Sequence, residues 1–275
     1  MLEASMAKEA AVWANVNDIA IRFTAERYAK FENIAIRESS ICVANSRATR
    51  ADFESRYNPP PNWDCEVVHW GVDTEMFRPL DIENEQENRN FTEIRTRFGA
   101  VSPGSKLLLA VGRLAARKGY GTLIRGFSAL NKEMPNTKLV IVGRGHLKRR
   151  LMRLAKSLGV GEDITIESSL SFAELAQLYR SSDLVVYPSF YEGQGLIPLE
   201  AMASGVPVVT VDHGPLPEMV DESVGALFTM GNIESMVSVM KEVLKAGRKK
   251  GEKGRARVLQ KFTYSGNAES FENIY

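Results

Sequence analysis

Glu192 and Glu200 stand eight positions apart in the stretch SFYEGQGLIPLEAMASGVPVV (189–209). Glu192 follows an apolar run ending at Ser189, and Gly193 and Gly195 make the turn behind it flexible. Pro198 suits the first turn of a helix, LIPLEAMAS, that stops at Gly205 before the next apolar run. One carboxylate therefore sits on a loop and the other in the first or second helical turn, so both can face one cleft from different heights. Glycines let backbone approach a ligand closely, and the unpaired amides of a helix start attract an anion. A second loop, VGRLAARKGYGTL (111–123), carries Arg113 and Lys118 between another apolar run and a helical pattern. Two cations beside a helix start suit a diphosphate and can neutralise a leaving group without a metal. The chain has no Asp-x-Asp pair, so a metal-dependent sugar-nucleotide site is not expected. The GRG at 143–145 is too short for a dinucleotide fingerprint and reads as a tight strand-to-helix turn near the same ligand.

The elements that must position these residues alternate. KLLLAVG (106–112), KLVIVG (138–143), DITIES (163–168), DLVVYPS (183–189), VPVVTVD (206–212) and GALFT (225–229) are continuous apolar runs, as in strands buried on both faces. Helical stripes lie between them, including Leu123, Phe127, Leu130 and Met134, and Leu147, Leu151, Leu154 and Leu158. Ser171 and Glu174 have capping-box spacing, and Ile233, Met236, Val237, Met240, Val243 and Leu244 make a further stripe. The alternation predicts a Rossmann-like α/β domain over 106–260 with a parallel sheet covered on both faces, and ligands beyond the carboxyl ends of its strands.

The earlier region is sparser. Residues 1–38 read as helix, 39–46 as a short buried strand, SRATRADFESRY as a helix closed by prolines 59–61, and CEVVHWGVD (65–73) as a second strand bearing His69. PLDIENEQENRN (79–90) is acidic and nearly free of apolar residues, so 79–105 reads as a solvated linker.

Composition excludes several classes. Among 275 residues, 44% are hydrophobic and 25% charged, as in a soluble globular protein rather than a disordered or coiled-coil chain. The formal net charge of +1 provides no global field toward nucleic acid. It is unevenly spread: residues 1–100 carry 12 Lys/Arg against 17 Asp/Glu, and the rest 23 against 17. Two cysteines, Cys42 and Cys65, fit small buried residues in a reducing compartment, and with three histidines leave little for a Cys/His metal site. No apolar run reaches the roughly 18 residues of a membrane span. The opening MLEASMAKEA is not a signal peptide. A cytoplasmic location is expected. The basic runs at 144–156 and 246–257 read as solvated helix faces, with contact to anionic lipid at the cytoplasmic membrane face as the minority reading.

The Glu-x7-Glu loop with LEAMASGVPVV behind it resembles the retaining glycosyltransferases of family 4, which have the GT-B fold of two facing Rossmann-like domains. So do VGRLAARKG, VIVGRGHL, LYRSSDLVVYPS and HGPLPEMVDESVGALF. ICVANSRATR and HWGVDTEMFRP look like the end of the family's acceptor domain, and KFTYSGNAESFENIY resembles its last helix, which crosses back to that domain. The resemblance runs from about residue 30 onward. It implies a partial acceptor-side domain over 1–78, a nucleotide-sugar donor domain over 106–260 and a returning helix over 261–275.

It further implies hexose transfer with retention from a nucleoside-diphosphate sugar to a glycan, lipid or small-molecule acceptor, without metal or other cofactor. Arg113 and Lys118 would hold the diphosphate, with Gly112 and Gly143 beside them. Glu192 would touch the donor sugar, with amides of Gln194, Gly195 and Leu196 assisting around Gly193. Leu196 and Ile197 amides would also meet the diphosphate, and Glu200 would accept hydrogen bonds from the ribose. Glu192, Arg113 and Lys118 form the implied catalytic set. The loop at Ser169–Leu170 would lie near the base, where the family has a Gly and this chain has Ser168 or Ser169.

The family's acceptor domain opens with a Gly-rich loop and carries a His near the acceptor. Neither is found, and His69 does not match that His. The expectation is that about 100 or more residues of a complete fold are absent, and that transfer needs a partner supplying the acceptor half. Two alternatives remain: a donor-binding subunit without activity of its own, and another sugar-nucleotide enzyme of this fold, such as an epimerase or phosphorylase.

Overall fold

The computed structural model describes residues 30–168 and 170–274. Helix α1 covers 30–38, so the rest of the helix expected over 1–38 lies outside the described residues. Two three-residue strands follow, β1 (Cys42–Ala44) and β2 (Cys65–Val67), paired in parallel with Cys42 opposite Cys65. Both thiols are free, and Cys65 is buried. Between them runs α2 (Arg47–Tyr57), started by the Ser46 hydroxyl on the Thr49 amide and ended by Asn58 in the left-handed region. β2 is shorter than the expected 65–73, and His69 therefore lies in the loop behind it.

The stretch read as a linker contains a helix: α3 spans Glu85–Arg97. Asn84 caps it by accepting from the Gln86 and Glu87 amides. No residue of α3 is fully buried, so the sequence has no apolar stripe to read. Polar contacts anchor it instead. Glu87 pairs with Arg78 and Arg180. Arg95 reaches Asp183 at 2.9 Å and the carbonyls of Ser105 and Ser181 at 2.8 and 3.1 Å.

Six strands then form one parallel sheet: β3 (Lys106–Val111), β4 (Thr137–Val142), β5 (Ile164–Glu167), β6 (Leu184–Tyr187), β7 (Val208–Val211) and β8 (Gly225–Phe228). Their order is β5-β4-β3-β6-β7-β8. The expected runs are all present, trimmed by a residue or two at their ends. The helices of this region are α4 (Tyr120–Glu133), α5 (Lys148–Ser157), α6 (Phe172–Ser181), α7 (Leu196–Ala203), the short α8 (Leu216–Met219) and α9 (Ile233–Ala246). The capping box at Ser171 and Glu174 forms as its spacing predicts. Crossovers run in opposite directions on either side of β3 and β6. Right-handed connections therefore put α4 and α5 on one face and α6, α7 and α8 on the other. Both faces are dry: Leu107, Leu108 and Leu109 of β3 have no exposed surface, nor do Leu123, Ile124, Phe127 and Leu130 of α4. Burying each such side chain contributes about 1.5–3 kcal/mol.

The basic run 246–257 keeps part of its expected solvated role, with Arg248, Lys249 and Lys253 exposed, but not all of it. Most of it belongs to α10 (Lys249–Lys261), which packs on α7. A Cβ on Gly251 would lie 2.1 Å from the Gly205 carbonyl oxygen, so glycine is what permits the close approach. Arg255 donates to the carbonyls of Thr74, Phe77 and Ala203, each at 3.0 Å. These cations tie chain segments together, which composition alone does not reveal. The last helix, α11 (Tyr264–Glu272), lies against the loop after β2. Val72 donates to the Phe262 carbonyl at 2.9 Å, and the Asn267 amide reaches the His69 carbonyl at 2.8 Å. No helix among the described residues is long and apolar enough to cross a membrane.

Candidate functional site

The sheet order reverses between β3 and β6, and in open parallel sheets the crevice at that reversal is where ligands bind. The loop after β3 holds Arg113 and Lys118, and the loop after β6 holds Glu192, so the topology itself brings the two sequence motifs together. Lys118 ends a single tight turn (Ala116–Lys118) and is only 8% exposed. Its ammonium bonds the Glu192 carboxylate and lies 2.9 Å from the Tyr187 hydroxyl. The Ser189 hydroxyl donates to the same Glu192 oxygen. Arg117 stands 3.8 Å from that oxygen and anchors the loop by donating to the Tyr191 carbonyl at 2.9 Å.

Burial pushes the Glu192 carboxyl up, but the Lys118 charge and the bonds from Lys118, Ser189 and Tyr187 outweigh it and hold the pKa below the usual value. Burial also pulls Lys118 down, only partly opposed by Glu192, and the neighbouring charges of Arg117 and Arg113 push the same way. Arg113 is exposed, and its side chain forms no hydrogen bond or ion pair with a described residue.

The carboxylate eight residues on is in a different state. Glu200 lies inside α7, where burial raises its pKa despite the hydroxyl of the fully buried Tyr179 donating to it at 2.6 Å. The fold favours its protonated form more than the unfolded chain does, so it contributes stability below the unfolded-state pKa that is lost as pH rises through the folded one. Removing the donor with Tyr179→Phe is expected to raise the Glu200 pKa further, read directly by carbon NMR of the side-chain carboxyl. An unmoved or lowered titration contradicts the assignment.

Helix α7 starts at Leu196 with no side-chain cap, its preceding Gly195 having φ of 97°. Gly195, Leu196 and Ile197 thus present a helix start beside Lys118 and Glu192. The other expected residues divide. Gly112 adopts a φ of 141°, and a Cβ there would meet the Tyr120 hydroxyl at 3.0 Å. Gly143 has a structural reason to be glycine: a Cβ would lie 1.9 Å from the Gly112 carbonyl oxygen, so the ends of β3 and β4 could not close together. Leu170 packs half-buried on the core, while Ser169 lies outside the described residues. Gln194, expected to act through its amide, also acts through its side chain. It is 2% exposed, accepts from the Trp70 amide at 2.6 Å and donates to the Trp70 carbonyl at 2.9 Å. Tyr187 and Ser189 escaped the sequence reading because they sit at the end of an apolar run. A hydroxyl closing a strand just before a Gly-rich loop is the signal that was available.

A parallel sheet of this order, with a second, smaller parallel pair beside it, is the fold of the GT-B glycosyltransferases. Sucrose-phosphate synthase from Thermosynechococcus elongatus superposes with a TM-score of 0.77 at 22% identity, over 91% of this chain and 61% of that one. HepE from Anabaena, solved with UDP and glucose, gives 0.76 at 21%, over 88% and 65%. The chain belongs to the group 1 glycosyl transferases, whose family model matches residues 92–257. A D-inositol 3-phosphate glycosyltransferase from Segniliparus rotundus is 31% identical over 251 residues, 89% of this chain and 54% of that protein. The chain spans about half the length of the curated relatives it matches.

Proposed function

We propose that residues 106–260 form the donor site of a glycosyltransferase that moves a hexose from a nucleoside-diphosphate sugar to an acceptor, with retention at the anomeric carbon. The observation that carries this is the buried Lys118–Glu192 pair at the sheet's switch point, beside the uncapped start of α7. The pair holds a cation and a carboxylate together at the switch point. A diphosphate entering there competes for Lys118 and meets exposed Arg113 and the α7 amides. Those groups are placed to stabilise the charge that develops on the leaving diphosphate. Glu192, once freed from Lys118, addresses the sugar. Glu200 addresses the ribose, for which its ionised form is the better acceptor. HepE, with UDP and glucose in the same fold, supports a nucleotide and a hexose as ligands.

The test is titration calorimetry of the chain with UDP, GDP and ADP and their hexose conjugates, in chelator. One nucleotide series is expected to bind without metal. Arg113→Ala is expected to weaken the free nucleotide about tenfold, the scale of one lost charge-assisted contact. Binding that disappears in chelator, or is untouched by Arg113→Ala, overturns the assignment.

A further inference from the structure

The loop that carries Glu192 is fastened to the short acceptor-side region as well as to its own sheet. The Gly193 carbonyl accepts from the Ser46 hydroxyl at 2.7 Å and from the Thr49 hydroxyl at 3.0 Å. Gly193 also packs so closely on Asn45 that a Cβ would sit 2.9 Å from its side-chain nitrogen. One residue on, the buried Gln194 amide pairs with both peptide groups of Trp70, as a neighbouring strand would. A second anchor comes from α8. Both carboxylate oxygens of Glu218 accept from the first amides of α2, Arg47 at 3.0 Å and Ala48 at 2.9 Å, and His69 meets Glu218 Oε2 at 3.0 Å. Burial pushes Glu218 up, but those two amides and His69 more than reverse it, so its ionised form is the one the contact selects. Ser46 caps the same helix start. Residues 45–49 and 69–70 thus grip the donor side at Gly193, Gln194 and Glu218, immediately behind Glu192.

We infer that Gln194 and Glu218 are positioning residues that set the aim of Glu192 by locking its loop to the acceptor-side region. The inference rests on the donor-site reading above. Neither side chain is assigned contact with the donor. Gln194 has both ends of its amide engaged by Trp70, and Glu218 has both oxygens engaged by α2. Their effect on the sugar passes through Glu192. Movement of the acceptor-side region would therefore be felt at the donor sugar before it is felt at the diphosphate, which Arg113, Lys118 and α7 hold independently.

The experiment uses the full chain and four probes, UDP, UDP-glucose, GDP and GDP-mannose. Gln194→Met keeps the volume and removes both bonds to Trp70. Glu218→Gln acts at the separate anchor and serves if the first variant folds poorly. Each is expected to leave the affinity for the free nucleotide within about twofold of wild type. Each should lower the extra affinity given by the attached hexose about tenfold, the scale of one well-aimed hydrogen bond to a charged group. In a Glu192→Ala background the same substitutions should have no further effect on that difference. A merely structural role predicts equal losses for nucleotide and nucleotide sugar, with or without Glu192. Equal losses, or none, overturn the inference while leaving the donor site standing. Failure of the wild-type chain to bind any of the four probes, or ADP and ADP-glucose, overturns the donor-site reading and the inference with it.

Discussion

Lys118→Ala is expected to lower the unfolding free energy by about 3 kcal/mol at neutral pH, because it leaves Glu192 buried and charged without its principal partner. The lysine and glutamate side chains are only 10% and 12% exposed, so solvent screens the pair little. The pH dependence follows from the lowered pKa of Glu192. A carboxylate whose folded pKa is depressed stabilises the protein above its unfolded pKa, and that contribution is lost as pH falls through the folded one. The variant lacks it at every pH. The difference between wild type and variant should therefore be full at pH 7 and shrink as the solution is taken below the carboxylate range. Combining Lys118→Met with Glu192→Gln should recover most of the loss, since the pair is then replaced by an apolar chain and a neutral amide that Ser189 and Tyr187 can still satisfy. Urea denaturation of the three proteins at pH 7 and at a series of values down to about pH 2, below the depressed carboxylate, checks this. A single variant as stable as wild type at pH 7 would show that Glu192 is adequately held by the hydroxyls alone. The same substitution should abolish nucleotide binding, which the double variant should not restore.

Much of the six-stranded region was legible because its signals are local and redundant. Most strands of the six-stranded sheet are short, largely apolar runs, and β3 is as dry as its Leu-Leu-Leu suggests. The candidate residues Arg113, Lys118 and Glu192 could be placed at the carboxyl ends of strands because they lie between such runs. Their mutual contact could not. The Lys118–Glu192 bond joins positions far apart in the chain and depends on β3 and β6 being neighbours, a fact of strand order rather than of spacing. Helix α3 was missed for a different reason. Its stability rests on Asn84, Glu87 and Arg95, polar residues whose partners Arg78, Arg180 and Asp183 lie elsewhere, so no apolar period marks it. The cross-links through Gln194 and Glu218 were hidden in the same way. A glutamine in a Gly-rich loop looks solvated until the Trp70 peptide is brought against it.

Gly119→Ala is the second large effect expected, and it connects the fold to the chemistry. Gly119 closes the Lys118 turn with φ of 68°, and a Cβ there would lie 2.1 Å from the Pro188 carbonyl oxygen and 3.3 Å from the Phe190 ring. The backbone conformation alone costs an alanine about 1 kcal/mol. The overlap with Pro188 is with backbone, which no rotamer change relieves, so the loop after β3 must move away from the end of β6. Forced overpacking of this kind adds about 1–3 kcal/mol, for a total loss of about 3 kcal/mol. Gly159 separates the two contributions: its φ of 77° is similar, but nothing lies within 4 Å of where its Cβ would be. Gly159→Ala is therefore expected to show only the backbone cost of about 1 kcal/mol and to bind nucleotide as wild type does. Gly119→Ala should lose both stability and binding, because the strand-end contact it breaks is the one that brings Lys118 to Glu192. Thermal unfolding and nucleotide titration of the two variants provide the comparison. Equal destabilisation by both substitutions would mean that the β3 and β6 loops yield freely, and that their close approach is not what assembles the pair.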